Sequence, residues 1–152
     1  MKSRDTFLAS LIHESDRRHS LANLRTSRIL ATDLEGAFDS KRRRKGLLGR
    51  PGLAKGSALI IAPCNSIHTF FMHFAIDIAF VDRHGKILKV RHAVPAWRLS
   101  VSWRAFAVVE MPAGTLEASG TRAGDDLAAI PSPAVDAGAP GFTGASPLPR
   151  QV

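Results

Sequence analysis

The sequence predicts a mainly β protein, a small antiparallel β-sandwich or jelly-roll-like barrel with one or two short helices, on three observations. The run Ile67 to Asp82, IHTFFMHFAIDIAFVD, alternates when laid out as a strand. Phe70, Met72, Phe74, Ile76, Ile78 and Phe80 fall on one face, and Thr69, Phe71, His73, Ala75, Asp77 and Ala79 on the other. Turn residues Asp82-Arg83-His84-Gly85 follow, and KILKVRH returns, so that Ile76 to Asp82 and Lys86 to His92 make a hairpin. Trp103 to Met111, WRAFAVVEM, alternates again with both faces partly apolar, as an internal strand allows.

The remaining elements follow in chain order. Phe7, Leu8, Leu11 and Ile12 have helical spacing behind Asp5, a suitable N-cap, and predict a short, poorly anchored helix. Residues 14–26 are charged and lack apolar periodicity, so 1–26 reads as a loosely ordered arm before a β domain at 27–130. RILAT (28–32) predicts the first strand of that domain. Ser40 is placed to cap a helix that carries KRRRK (41–45) and stops near Gly46 or Gly49, before Pro51. SALIIAP (57–63) suits a buried strand ended by proline, and AVPAWRLS (93–100) an irregular crossing. Thr115 is placed to cap one helical turn, LEAS, closed by Gly120, and Asp126 to Ile130 is a last strand. Residues 131–152 are rich in Pro, Ala and Gly, with little to bury, and predict a disordered tail.

A chain of 152 residues is long enough for one core. No run approaches the roughly 18 apolar residues of a spanning helix, so no transmembrane segment is expected. The first twenty residues acquire charges too early for an export signal. The chain as given therefore reads as cytoplasmic, with export open only if the natural start lies upstream. The net charge of +8 is concentrated in the N-terminal third, most densely at KRRRK. No aromatic residues interleave with that run, so a solvated helix face is preferred and nucleic acid is not the expected partner.

Taken together, KGLLGR (45–50), HTFFMHFAIDIAFVDRHGKILKV (68–90), VPAWRLS (94–100), VVEMPAGT (108–115) and AGDDL (123–127) resemble an uncharacterised bacterial and archaeal family, the domain of unknown function 192. The resemblance covers residues 28–130. It implies a small, mostly antiparallel β domain of sandwich or jelly-roll kind, and no activity. Relatives generally carry proline where this chain has Ala75, so the strand break that proline would enforce is not required here. Many relatives are exported.

Candidate chemistry centres on the polar face of the central run. His73, Asp77 and Thr69 share it, and the small Ala75 and Ala79 leave room for a shallow groove. His68, Arg50, Trp97, Arg98 and Glu110 are further candidates to converge there on a small polar ligand or a peptide. The plainer reading, in which Asp77 and His73 bond loop backbone and fix the strand, is the stronger for those two; Glu110 with an arginine would equally make an ion pair. A hydrolytic or metal-assisted enzyme using His73 and Asp77 is the alternative, and an anionic-polymer binder using Lys41 to Lys45 a third. Cys64, His68 and His73 do not align on one face of a strand or a helix, so no metal or other cofactor is expected. Nothing in the sequence lowers the pKa of Cys64, and GLLGRPGL has the wrong spacing for a phosphate loop.

Overall fold

The computed structural model describes residues 7–132. Three sheets carry the fold. Strands β1 (His19–Asn23), β2 (Arg28–Ala31) and β10 (Leu127–Pro131) form an antiparallel sheet in the order β10-β1-β2. A five-stranded sheet is built from β3 (Asp33–Ala37), β4 (Ser57–Ile61), β6 (Ile76–Val81), β7 (Ile87–Val94) and β9 (Ala107–Pro112), in the order β3-β4-β9-β6-β7. Its β3–β4 pair is parallel and the others are antiparallel. A two-stranded ribbon pairs β5 (Ser66–His68) with β8 (Leu99–Val101). Three short helices, α1 (Ala9–His13), α2 (Ser40–Lys45) and α3 (Thr115–Ser119), complete the described residues. The mainly β, sandwich-like prediction holds, although the sheets do not close into a barrel.

Both faces of the five-stranded sheet are core, which follows from the alternation in its strands. Ala79, Val81, Val109, Met111 and Ile60 join Leu21 and Leu30 of the three-stranded sheet, with Leu8 and Leu11 near α1 and Leu116 of α3. Ile76, Ile78, Phe80, Val108, Leu59 and Ile61 join Leu47, Ile67 and Met72 on the opposite side. The odd–even division of the central run is therefore real for Met72, Ile76, Ile78 and Phe80. The single continuous strand is not: pairing stops after His68 and resumes at Ile76. Even without a proline at 75 the chain turns here, because Thr69 is fastened to the 95–98 segment rather than to the next strand.

The predicted hairpin forms as β6 and β7. Asp82 Oδ1 accepts the backbone N–H groups of His84 (2.8 Å) and Lys86 (3.0 Å), which holds the turn closed. Gly85 has φ of +89°, and a Cβ there would meet the Leu127 carbonyl oxygen at 2.4 Å, so glycine is required. Three other elements differ from expectation. Asp39, not Ser40, caps α2, its Oδ1 accepting from Arg42 N at 2.8 Å. The strand expected from Trp103 begins only at Ala107, since 103–106 is turn. The α3 N-cap is Gly114, which offers no side chain.

The loose arm expected for 1–26 does not extend to His19–Asn23, which is wholly buried as the middle strand of its sheet. Asn23, at its end, and the following Arg25 are bonded at long range. Asn23 Nδ2 donates to Asp125 Oδ2 (2.8 Å) and to Thr121 Oγ1 (3.0 Å), and Arg25 Nη2 donates to Asp125 Oδ2 (3.0 Å) and the Gly120 carbonyl (2.7 Å). The Arg25 guanidinium beside Asp125, helped by Asn23, holds that carboxyl well below the usual range. Residues 1–6 and most of the predicted tail, 133–152, lie outside the described residues.

Asp77 is fully buried in β6. Its Oδ1 accepts from Ala93 N at 2.8 Å and its Oδ2 from Leu116 N at 2.9 Å. It thus ties down the end of β7 and supplies the cap that Gly114 cannot. His73, by contrast, is exposed in the turn. Asp77→Asn should cost about 2–3 kcal/mol, because an amide must turn a donor toward one of two backbone donors. The melting temperature should fall by roughly 5–10 °C, whereas His73→Ala should change stability by less than about 0.5 kcal/mol; equal melting temperatures would contradict the assignment.

Candidate functional site

The expected groove beside Asp77 does not exist, because that face of β6 is filled by the core between the two larger sheets. Asp77 is saturated there by backbone, and His73 lies apart from it in the turn. Thr69 is also architectural. Its hydroxyl donates to the Pro95 carbonyl (2.7 Å) and accepts from Arg98 N (2.9 Å), while its carbonyl accepts from Trp97 N (3.0 Å). Arg98 itself is exposed. Arg50 donates from Nη2 to both carboxylate oxygens of Glu35, at 2.9 and 3.0 Å. Two of the eight candidates do converge. His68 and Glu110 line one cleft on the opposite side of the sheet.

That cleft, of about 180 Å³, lies between the C-terminal end of α2 and strand β5. Arg43, Arg44 and Lys45 form one rim, Ser66 and His68 the other, and Ile61, Met72 and Glu110 line it as well. Glu110 is there because β9 alternates. It stands opposite Leu59 of β4 and Ile78 of β6, and so shares their face, while Val109 and Met111 take the other. The basic run read as a solvated face contributes Arg43 and Arg44 to the rim because α2 ends at Gly46 beside Ile61.

Glu110 retains only 4% of its surface, and its Oε2 has no hydrogen-bond partner. Burial pushes its carboxyl up to about 7, with the Arg50 guanidinium pulling the other way. Among the described residues Glu110 makes no ion pair with an arginine, and Arg50 is held by Glu35 instead. Near neutral pH this group can therefore either donate or accept a hydrogen bond within the cleft. Cys64, also on the cleft, donates from Sγ to the Ser66 carbonyl at 3.0 Å, and burial raises its thiol. It is a protonated, half-buried side chain rather than a thiolate. Among the described residues no three His, Cys, Asp or Glu side chains are grouped to hold a metal ion.

His68 continues the site outward. Its ring stacks on Phe70 at 4.9 Å, Phe70 meets Trp97 at 5.7 Å, and Trp97 meets Phe71 edge-on at 4.7 Å. Trp97 is thus beside the site, though not in the cleft. Sequence reasoning placed Met72 only in the core and named Arg43 and Arg44 only within the basic run, not beside Glu110. The one available signal was Glu110, a lone carboxylate inside an apolar alternation.

Residues 22–129 match a family described as an uncharacterised ACR, the domain of unknown function 192 (DUF192). The chain belongs to this family. Two crystal structures share the DUF192 chain's fold. One is of a "putative transcription regulator" from Sinorhizobium meliloti 1021, with TM-score 0.64 and 21% identity, covering 74% of this chain and 92% of that one. The other is of a protein of unknown function from Novosphingobium aromaticivorans DSM 12444, with TM-score 0.62 and 18% identity, covering 72% and 81%. At these identities the likeness concerns the fold. The comparison with curated proteins finds no relative.

The raised pKa of Glu110 has a signed consequence. Near pH 4 the carboxyl is protonated in both the folded and the unfolded chain, and imposes no penalty. Between its ordinary 4.5 and about 7 only the unfolded chain ionises, so stability falls as pH rises through this window. Full ionisation would remove up to about 3 kcal/mol. Glu110→Gln should therefore gain stability relative to the parent as pH rises from 4.5 to 8. Denaturant unfolding at both pH values checks this; a constant difference would show that Glu110 ionises normally.

Proposed function

We propose that this DUF192 protein is a binding module whose cleft holds a small polar ligand, or the end of a peptide, at Glu110. The observation that carries the reading is the Glu110 carboxyl itself. It is buried at a formed cleft, raised toward neutrality and left with an unpartnered oxygen, a condition that a folded protein usually relieves with a hydrogen bond. A ligand amine, amide or hydroxyl would provide that bond. An anionic group on the same ligand would meet Arg43 and Arg44 at the rim, and Ile61 and Met72 offer apolar contact to its body.

The hydrolytic alternative built on His73 and Asp77 loses its geometric basis, because those side chains do not meet and Asp77 has no free oxygen directed at a cleft. An anionic-polymer binder is the second reading. It takes support from the exposed basic residues of α2 and from the wording attached to the Sinorhizobium structure, which at 21% identity is slight.

Free amino acids and dipeptides combine the required donor and carboxylate at the right scale, and are the first probes. In a thermal-shift series at pH 6.5, at least one should raise the melting temperature of the parent protein. Arg43→Gln with Arg44→Gln should weaken that probe's binding about tenfold or more, as expected for charge-assisted bonds, and Glu110→Ala should abolish it. If no probe binds, or if the substitutions leave binding unchanged, this reading of the cleft fails.

A further inference from the structure

On the outward side of the β5–β8 ribbon, strand β8 and the residues at its ends present apolar side chains that nothing among the described residues covers. Register pairs His68 with Leu99 and Ser66 with Val101, while Ile67 and Ser100 between them are buried. Leu99 is 62% exposed. At one end of β8 stand Phe71, 68% exposed, and Trp97, 57% exposed; just beyond the other end is Trp103, 83% exposed. Phe71 and Trp97 have φ of +63° and +64°, in the left-handed region that bulky residues rarely adopt. Backbone conformations of this kind persist only where surrounding structure imposes them, and Thr69 does so for Trp97 through two backbone hydrogen bonds and its hydroxyl.

Charge narrows what could cover this surface. Basic side chains of β7 reach β8: Lys89 Nζ donates to the Val101 carbonyl (2.9 Å) and Arg91 Nη1 to Ser100 Oγ (3.1 Å). Arg98 and Arg104 directly follow the two tryptophans. A second copy of the chain would bring like charge against like, whereas an anionic partner is matched. Phe70, Phe71 and Trp97 pack on one another instead of standing apart as separate stacking platforms for bases. Exposed apolar side chains with arginines beside them fit the boundary between lipid headgroups and acyl chains.

We infer that the outward side of strand β8, with the exposed rings that flank its two ends, attaches the protein peripherally to an anionic phospholipid bilayer. Phe71, Trp97, Leu99 and Trp103 enter the interface, and Arg98 and Arg104 meet lipid phosphates. The inference does not depend on the Glu110 cleft.

Trp97 and Trp103 are the only tryptophans, so their fluorescence reports directly on the surface. The full chain is to be sedimented with vesicles of phosphatidylglycerol mixed with phosphatidylcholine, and with vesicles of phosphatidylcholine alone, while tryptophan emission is followed. Binding to the anionic vesicles with a blue shift is expected, weakening as salt rises. Leu99→Ser, which keeps both tryptophans and changes an exposed side chain, should weaken it about tenfold. Arg98→Gln with Arg104→Gln should also weaken it, and Glu110→Gln should leave it unchanged. Failure to sediment with anionic vesicles, or equal binding by the Leu99→Ser protein, would overturn the inference. So would single-stranded DNA quenching the emission while vesicles leave it unmoved.

Discussion

The two bonds that Asp77 accepts, from Ala93 N and Leu116 N, reach across the fold from a strand with no other polar side chain. Strand β6 lies between β7 and β9 and is covered on both faces, so any polar group on it must find its partners inside the protein. Asp77 does so by fixing the far end of β7 and the first turn of α3. That keeps β9, which leads directly into α3, in register beside β6. The register in turn decides where Glu110 points.

The two buried carboxylates of adjacent strands therefore have opposite fates. Asp77 stands opposite Met111, on the side of the sheet where the end of β7 and the first turn of α3 supply backbone donors. Glu110 stands opposite Ile78, on the side lined with aliphatic residues, where the Arg50 guanidinium that lowers its pKa is itself held by Glu35. One carboxylate is structural because its acceptors are saturated. The other is left available, at the edge of a cleft whose rim is basic.

Much of this was legible in the sequence, and for local reasons. The β6–β7 hairpin follows from period-two alternation and turn chemistry at Asp82 and Gly85, and α3 from its closing Gly120, which adopts φ of +63°. The split of Met72, Ile76, Ile78 and Phe80 from Asp77 and Ala79 was equally plain, although the opposite face proved to be a second core. Strand β1 was not legible. His19-Ser20-Leu21-Ala22-Asn23 has no apolar alternation, and Asn23 is buried by bonds to residues about a hundred positions away. The break at 69–75 depends on Thr69 meeting Pro95 and Arg98, again a non-local event. The cleft escaped for the same reason: α2, β5 and β9 are distant in sequence, so the basic run, Cys64, His68 and Glu110 were each read apart from the others.

His68 joins the cleft to the aromatic end of the ribbon, so a ligand at Glu110 would sit beside the exposed rings. The central claim, however, concerns Glu110 alone, that its carboxyl stays neutral inside the folded protein until pH is near 7. The direct measurement is a carbon-13 NMR titration of the Glu110 side-chain carboxyl, assigned by its disappearance in Glu110→Gln. A midpoint near 7 is predicted; a midpoint near the ordinary 4.5 would mean that the group is solvated or paired, and would contradict the account.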